Sequence, residues 1–272
     1  MKKIIAMLLA LSLVLAFAGC ASEKAPETTA APETTAAPEV TEEVPDTSET
    51  GPAEAEGTVM THAEYVAADL ESAVCVETYV QATQSWWNNQ ITVYAQSEDG
   101  AYFIYNMECS EENAAKLVPG AKIRVTGYKA EWSGEVEIVD GTFELLEGSY
   151  TAEPVDVTDL LGTDDLIKHQ NELVSLKGLT IESYTKDGED YHLPFVYKDN
   201  NSGDHDSNSD LYFNASINGQ TYSFCVESYL CDNTTDVYAA VENLKIGDVV
   251  DLEGFLYWYN GSQPHITSVV VK

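Results

Sequence analysis

Pro119-Gly120-Ala121-Lys122-Ile123-Arg124-Val125-Thr126-Gly127-Tyr128 and Ile246-Gly247-Asp248-Val249-Val250-Asp251-Leu252-Glu253-Gly254-Phe255 decide the fold of this chain. Each opens on a turn glycine, runs on as a strand with apolar residues at every second position, and meets a second glycine seven residues after the first. A third glycine follows at the same interval, in Trp132-Ser133-Gly134-Glu135 and in Tyr259-Asn260-Gly261-Ser262, where a hairpin should turn. A β-rich segment closes each copy, at residues 135–139 and 265–271. Self-similarity of this kind marks two copies of one unit.

Upstream the copies still correspond. Residues 73–81 and 173–181 read as first strands. Residues 90–105 form a hairpin, and 211–226 form its partner, turning at Asn218-Gly219. A short helix follows each hairpin, at 110–117 with Ser110 as N-cap and at 235–244. Another short helix precedes each copy: Thr61-His62-Ala63-Glu64 is a capping box, and 163–169 holds the matching place. Strand, hairpin, helix, hairpin is the order of a five-stranded OB barrel. The expected fold is therefore mainly β, with two tandem OB-like barrels at 58–150 and 151–272. A β-sandwich uses similar short strands, but the interposed helices count against it.

Ahead of the barrels the composition changes twice. Lys2 and Lys3 precede an uncharged run, Ile4 to Ala16, and then Phe17-Ala18-Gly19-Cys20. This resembles a bacterial lipoprotein signal with its lipobox, with Phe17 where Leu is commoner. The resemblance implies removal of residues 1–19 and a lipid on Cys20, hence a membrane partner through that anchor and a place on the extracytoplasmic face. Residues 20–57 then carry Ala-Pro-Glu-Thr-Thr-Ala almost verbatim in repeat, with no aromatic residue. Such a segment buries too little to offset its ordering entropy and reads as a disordered, extended linker.

The segment Gly247–Phe255 looks like the fourth strand of bacterial extracytoplasmic OB modules. Over residues 60–272 the chain also resembles a group of uncharacterised Gram-positive surface lipoproteins. The likeness is carried by Gln84-Ser85-Trp86-Trp87, by Gly127-Tyr128-Lys129-Ala130-Glu131-Trp132-Ser133-Gly134 and by Gly254-Phe255-Leu256-Tyr257-Trp258-Tyr259. It implies location and fold, and no established activity.

Lys and Arg number 13 against 46 Asp and Glu, a formal net charge of −33. Phosphate backbones repel such a chain, which makes nucleic acid an unexpected partner. Lys116, Lys122, Arg124 and Lys129 are the one basic group in the first copy. Outside the cytoplasm disulfides are permitted. Cys75–Cys109 and Cys225–Cys231 are the simplest pairing, and four buried thiols are the alternative.

OB barrels bind across strands 2–3 and the loops after strands 1 and 4. Those places hold Trp86, Trp87, Tyr105 and Trp132 in the first copy, and Tyr257, Trp258 and Tyr259 in the second, with Tyr102, Tyr212 and Tyr222 nearby. Such rings stack on sugars or unpaired bases, or else close barrel ends and interfaces. Trp86 and Trp87 are adjacent, so on a strand they face opposite ways. Asp204, Asp206, Asn208 and Asp210 alternate like the oxygen ligands of a calcium loop. Ser209 and Ala215 depart from that pattern, and a plain polar loop with no cofactor is the other reading. No His-Glu-x-x-His, Gly-x-Ser-x-Gly or phosphate-cradling loop is present, and no catalytic residue is assigned. The expected function is a non-catalytic, lipid-anchored surface binding or scaffold protein. Its partner would be carbohydrate such as a cell-wall glycan, or alternatively a surface protein. A third alternative is an accessory nucleic-acid-binding OB module of an extracellular hydrolase system.

Overall fold

A computed structural model describes residues 57–198 and 209–272. The signal, Cys20 and nearly all of the linker fall outside the described residues, as do Asp204, Asp206 and Asn208. Glu54–Lys272 form one compact unit.

The first barrel begins with helix α1 (His62–Ala67). The Thr61 hydroxyl accepts from the Glu64 N–H, and the Glu64 carboxylate accepts from the Thr61 N–H, which completes the capping box read from the sequence. Strands β1 (Ala73–Thr83), β2 (Gln90–Ser97) and β3 (Gly100–Glu108) follow. Helix α2 (Glu111–Ala114) is capped by Ser110, and strands β4 (Ala121–Trp132) and β5 (Glu135–Ser149) end the unit. They close in the order β1-β2-β3-β5-β4, with β3 and β5 parallel. Val76, Ile91, Ile104, Ile123, Val125 and Ile138 fill the interior. β5 runs well past the expected 135–139, because it pairs with β4 along nearly the whole of that strand.

The second half adds β6 (Val155–Asp156), β7 (Leu173–Glu182), β8 (Thr185–Lys186), β9 (Glu189–Asp190), β10 (Phe195–Tyr197), β11 (Leu211–Ile217) and β12 (Gln220–Val226). Helix α3 (Asp236–Glu242), capped by Thr235, then leads to β13 (Val249–Phe255) and β14 (His265–Val271). β7 pairs with β11, β11 with β12, β12 with β14, β14 with β13, and β13 with β7 again, so these five also form a ring. β6 and β10 extend it at two edges, and β8–β9 is a separate hairpin. The fold is thus mainly β and OB-like in both halves. The expected helix at 163–169 is instead a 3-10 turn, Leu166–His169. Its N-cap Asp165 makes no capping bond and only Leu166 is buried, so little holds a longer helix there.

The middle glycine of each repeat sits where two backbones touch. A Cβ on Gly127 would lie 2.7 Å from the Val139 carbonyl oxygen, and one on Gly254 would lie 2.2 Å from that of His265. Both positions border register shifts against the last strand of their barrel.

The basic group in the first copy is dispersed. Lys122 and Arg124 both bind Glu77, at 2.6 and 2.8 Å, and Lys116 pairs with Glu112. Lys129 is buried, and its ammonium donates to the carbonyls of Tyr65, Val66 and Ala68, the C-terminal end of α1. Lys129→Met leaves those acceptors unmet and is expected to cost about 2–4 kcal/mol. In a scanning-calorimetry comparison that is a midpoint lowered by roughly 5–15 °C for a chain of this size; an unchanged midpoint would show that the ammonium does not hold the helix.

The expected disulfides are not formed. Cys75, Cys109 and Cys231 are buried thiols, and Cys225 is buried without a disulfide. Strand register separates the first pair: Cys75 opposes Thr126 on β4, whereas Cys109 follows Glu108, which opposes Gln90 on β2. In the second half Cys231 joins the barrel core while Cys225 lines a groove on the other side of its sheet.

The barrels meet through Tyr94, Phe103 and Phe255, with the Tyr94 and Phe255 rings stacked at 4.5 Å. Around them the Glu135 carboxylate accepts from the Trp258 N–H (2.8 Å) and from the Gln170 amide (3.1 Å). Asn171 donates to the Val136 carbonyl, and Gln96 accepts from the Leu173 N–H. Some of the aromatic supply is therefore used to seal one barrel on the other.

Candidate functional site

Above that contact lies a groove of about 750 Å³, lined from both barrels. One wall starts in the β1–β2 connection. The Trp87 and Gln90 backbones exchange hydrogen bonds of 3.0 and 2.9 Å around Asn88 and Asn89, both at positive φ, 48° and 60°. This is the two-residue type I′ turn that Asn favours. It holds Trp87 out at 77% exposure. Trp86, one residue back, packs on the barrel core and donates its indole N–H to the Cys109 carbonyl (2.8 Å). The pair divides between core and solvent.

Tyr105 on β3 and Trp132 at the end of β4 continue the first wall. Tyr229, just after β12, and Tyr257 and Tyr259, between β13 and β14, form the second. Backbone bonds pin the rims: Ser85 N–H to the Tyr229 carbonyl, and Asn260 N–H to the Ser133 carbonyl, both 2.7 Å. The Trp132 and Tyr259 rings, one from each barrel, lie 5.2 Å apart. Trp87, Tyr105, Trp132, Tyr229 and Tyr259 are all exposed within this one groove.

Phe103, Cys225 and His265 lie deeper. Burial lowers the His265 pKa to about 3, so its imidazole is neutral. It meets the Tyr94 hydroxyl at 2.6 Å and stacks on Tyr257 at 4.1 Å. Burial, with the Asp210 charge close by, raises Glu227 to about 7, although the N–H groups of Tyr229 and Leu230 donate to it. Asp210, the described member of the expected calcium loop, accepts from the Ser228 N–H and hydroxyl. Among the described residues no group of three or more His, Cys, Asp or Glu is placed to hold a metal ion. The arrangement offers flat apolar faces, side-chain amides from Gln84, Gln90, Asn106 and Gln263, and the carboxyls of Asp210 and Glu227. That chemistry suits adsorption and orientation of a ligand.

Of the residues singled out from sequence, Trp86, Trp87, Tyr105, Trp132, Tyr257 and Tyr259 line this groove together. Trp258 does not. Its N–H is bound to Glu135, and its indole packs over Gly134 and against the second core, so it is an interface residue. Tyr102 is buried against Tyr65, and the Tyr222 hydroxyl binds Gln220. Sequence reasoning missed Tyr229, Glu227 and His265. No spacing distinguishes Glu227-Ser228-Tyr229 from any polar connection.

No family model matches the chain, and no curated protein matches it. Similar solved structures do exist. A murine DNA binding protein bound with double-stranded DNA is 11% identical, covering 73% of this chain and 96% of its own at a TM-score of 0.35. The Ifi202 HINa domain in complex with 20 bp double-stranded DNA is 13% identical, over 74% and 98%, at 0.32. The p204 HINb domain is 10% identical, over 75% and 100%, at 0.33. Two of these similar chains were solved on duplex DNA, and the expectation that nucleic acid is an improbable partner is withdrawn, with no partner of theirs carried over to this chain. Net charge sums over a whole chain that includes an acidic linker, whereas a ligand meets only the local field of the surface it touches.

Proposed function

We propose that this chain is a non-catalytic binding module that takes a glycan in the aromatic groove between its barrels. The observation that carries the reading is the convergence of Trp87, Tyr105, Trp132, Tyr229 and Tyr259, exposed, on one groove. Rings of this kind cover the apolar faces of sugars, while nearby amides and carboxyls bond their hydroxyls. The lipobox-like Phe17-Ala18-Gly19-Cys20 and the Ala-Pro-Glu-Thr-Thr linker support a tethered position outside the cytoplasmic membrane, where surface glycans are within reach.

The test is titration of the whole chain with soluble glycans and wall fragments, beside Trp87→Ala and Trp132→Ala. By analogy with ring stacking on bases, each substitution is expected to weaken binding by about 1–3 kcal/mol, or roughly 5- to 150-fold. Thermal unfolding should stay unchanged, because both rings are exposed. Binding that survives both substitutions, or a chain that takes no glycan, would defeat the reading.

A further inference from the structure

The groove does not end at Gln90 and Asn106. These two residues also line a second cavity of about 410 Å³, completed by Asn88, Asn89, Glu108 and Asp140. We infer that the two cavities form one continuous site for an extended, uncharged glycan chain, with stacking subsites at one end and a hydrogen-bonding subsite at the other. This rests on the glycan reading of the aromatic groove and specifies the length and register of its ligand.

The two cavities differ in chemistry. The first carries the rings, and the second carries none. Among the described residues, the side-chain amides of Asn88, Asn89, Gln90 and Asn106 make no hydrogen bond within the protein. Each therefore keeps two donors and an acceptor for a ligand. Asn88, Asn89, Asn106 and Asp140 are all at positive φ, between 46° and 60°, so backbone turns on three separate segments aim at one small space. The type I′ turn joins the subsites mechanically, since Trp87 sits at its start and Gln90 at its end. A ring stacked on Trp87 would continue along its chain directly onto the amides. A single sugar would use only one of the two surfaces. A linear oligomer uses both, and the second supplies direction because its amides stand on only one side of the stacking rings.

The experiment uses β-1,4-linked glucose and N-acetylglucosamine oligomers from dimer to octamer, titrated into the whole chain, with Asn88→Gly/Asn89→Gly and Glu108→Gln as variants. Glycine keeps the turn conformation while removing both amides. Affinity is expected to rise with length and then level off. The glycine variant should bind dimers as the unsubstituted chain does and lose at least about tenfold for the longest oligomers. A length-independent affinity, or a variant equal to the parent at every length, overturns the extended site and leaves the aromatic groove standing. Loss of dimer and octamer binding alike, with unchanged unfolding, also overturns it, since the amides would then serve the first subsite. Failure of every oligomer to bind the parent chain defeats the glycan reading itself.

Discussion

Gly254→Ala should cost about 3 kcal/mol or more, among the largest single-residue losses in the chain. The added methyl would stand 2.2 Å from the His265 carbonyl oxygen and 2.8 Å from the Ile266 Cα. Both are backbone atoms of β14, which is paired with β13 on one side and β12 on the other, so neither can step aside without breaking a ladder. His265 would move with its carbonyl, and with it the groove floor against Tyr94 and Tyr257. Gly178→Ala is the control. Its φ is +72°, but a Cβ there meets nothing within 4 Å, so only the backbone preference is lost, about 1 kcal/mol. Urea unfolding of the two variants checks this, and equal losses would show that close approach is not what the repeated glycine provides.

Raising the pH from 5 to 8 is expected to weaken the fold, and Glu135→Gln should remove part of that slope. Burial holds Glu135 at about 8 and Glu137 and Glu227 at about 7, against 4.5 for an ordinary glutamate. Between the two values the folded chain binds more protons than the unfolded one. Stability is then full below the unfolded pKa and is lost as pH rises through the folded one, by about 1.4 kcal/mol per pH unit for each group. His265 works the other way, with a folded value of about 3, and takes stability away as pH falls below 6.5. It is one group against three, so the maximum should lie near pH 5. Carboxylates held low, such as Asp156 at about 2 beside Thr158 and Lys177, matter only below roughly pH 4. Urea midpoints taken across this range should coincide for Glu135→Gln and the parent at pH 5 and favour the variant at pH 8. Parallel profiles would mean that Glu135 ionises as freely in the fold as out of it.

Much of the architecture was legible because it rests on local rules. The seven-residue glycine spacing marked the same bend in both barrels, since only glycine admits the backbone contacts at positions 127 and 254. Thr61 and Ser110 each cap the helix they were expected to cap, and Thr235, expected inside its helix, caps that one. The misses are where local rules are silent or are outvoted. A weakly capped segment at 163–169 tightened into a 3-10 turn. Between the two readings open for the four cysteines, local rules could not choose, and the fold buried them as thiols on faces that cannot meet. Lys129, read as part of a basic group, turned inward to finish a helix.

The candidate site divides along the same line. Sequence alone determined that two barrels form, where their loops fall, and that Trp87 and Trp132 stand in loops of a kind that binds ligands. Alternation, glycine spacing and turn chemistry are properties of neighbouring residues, and they are read from neighbouring residues. Only the tertiary structure decided that Tyr229 and Tyr259 face Trp87 and Trp132, that Trp258 is withdrawn to Gly134, and that Glu227 and His265 lie at depth. Those placements follow from how Tyr94, Phe255 and Glu135 seat one barrel on the other. That seating is a packing of surfaces brought together from distant parts of the chain, and no periodicity along the sequence encodes it.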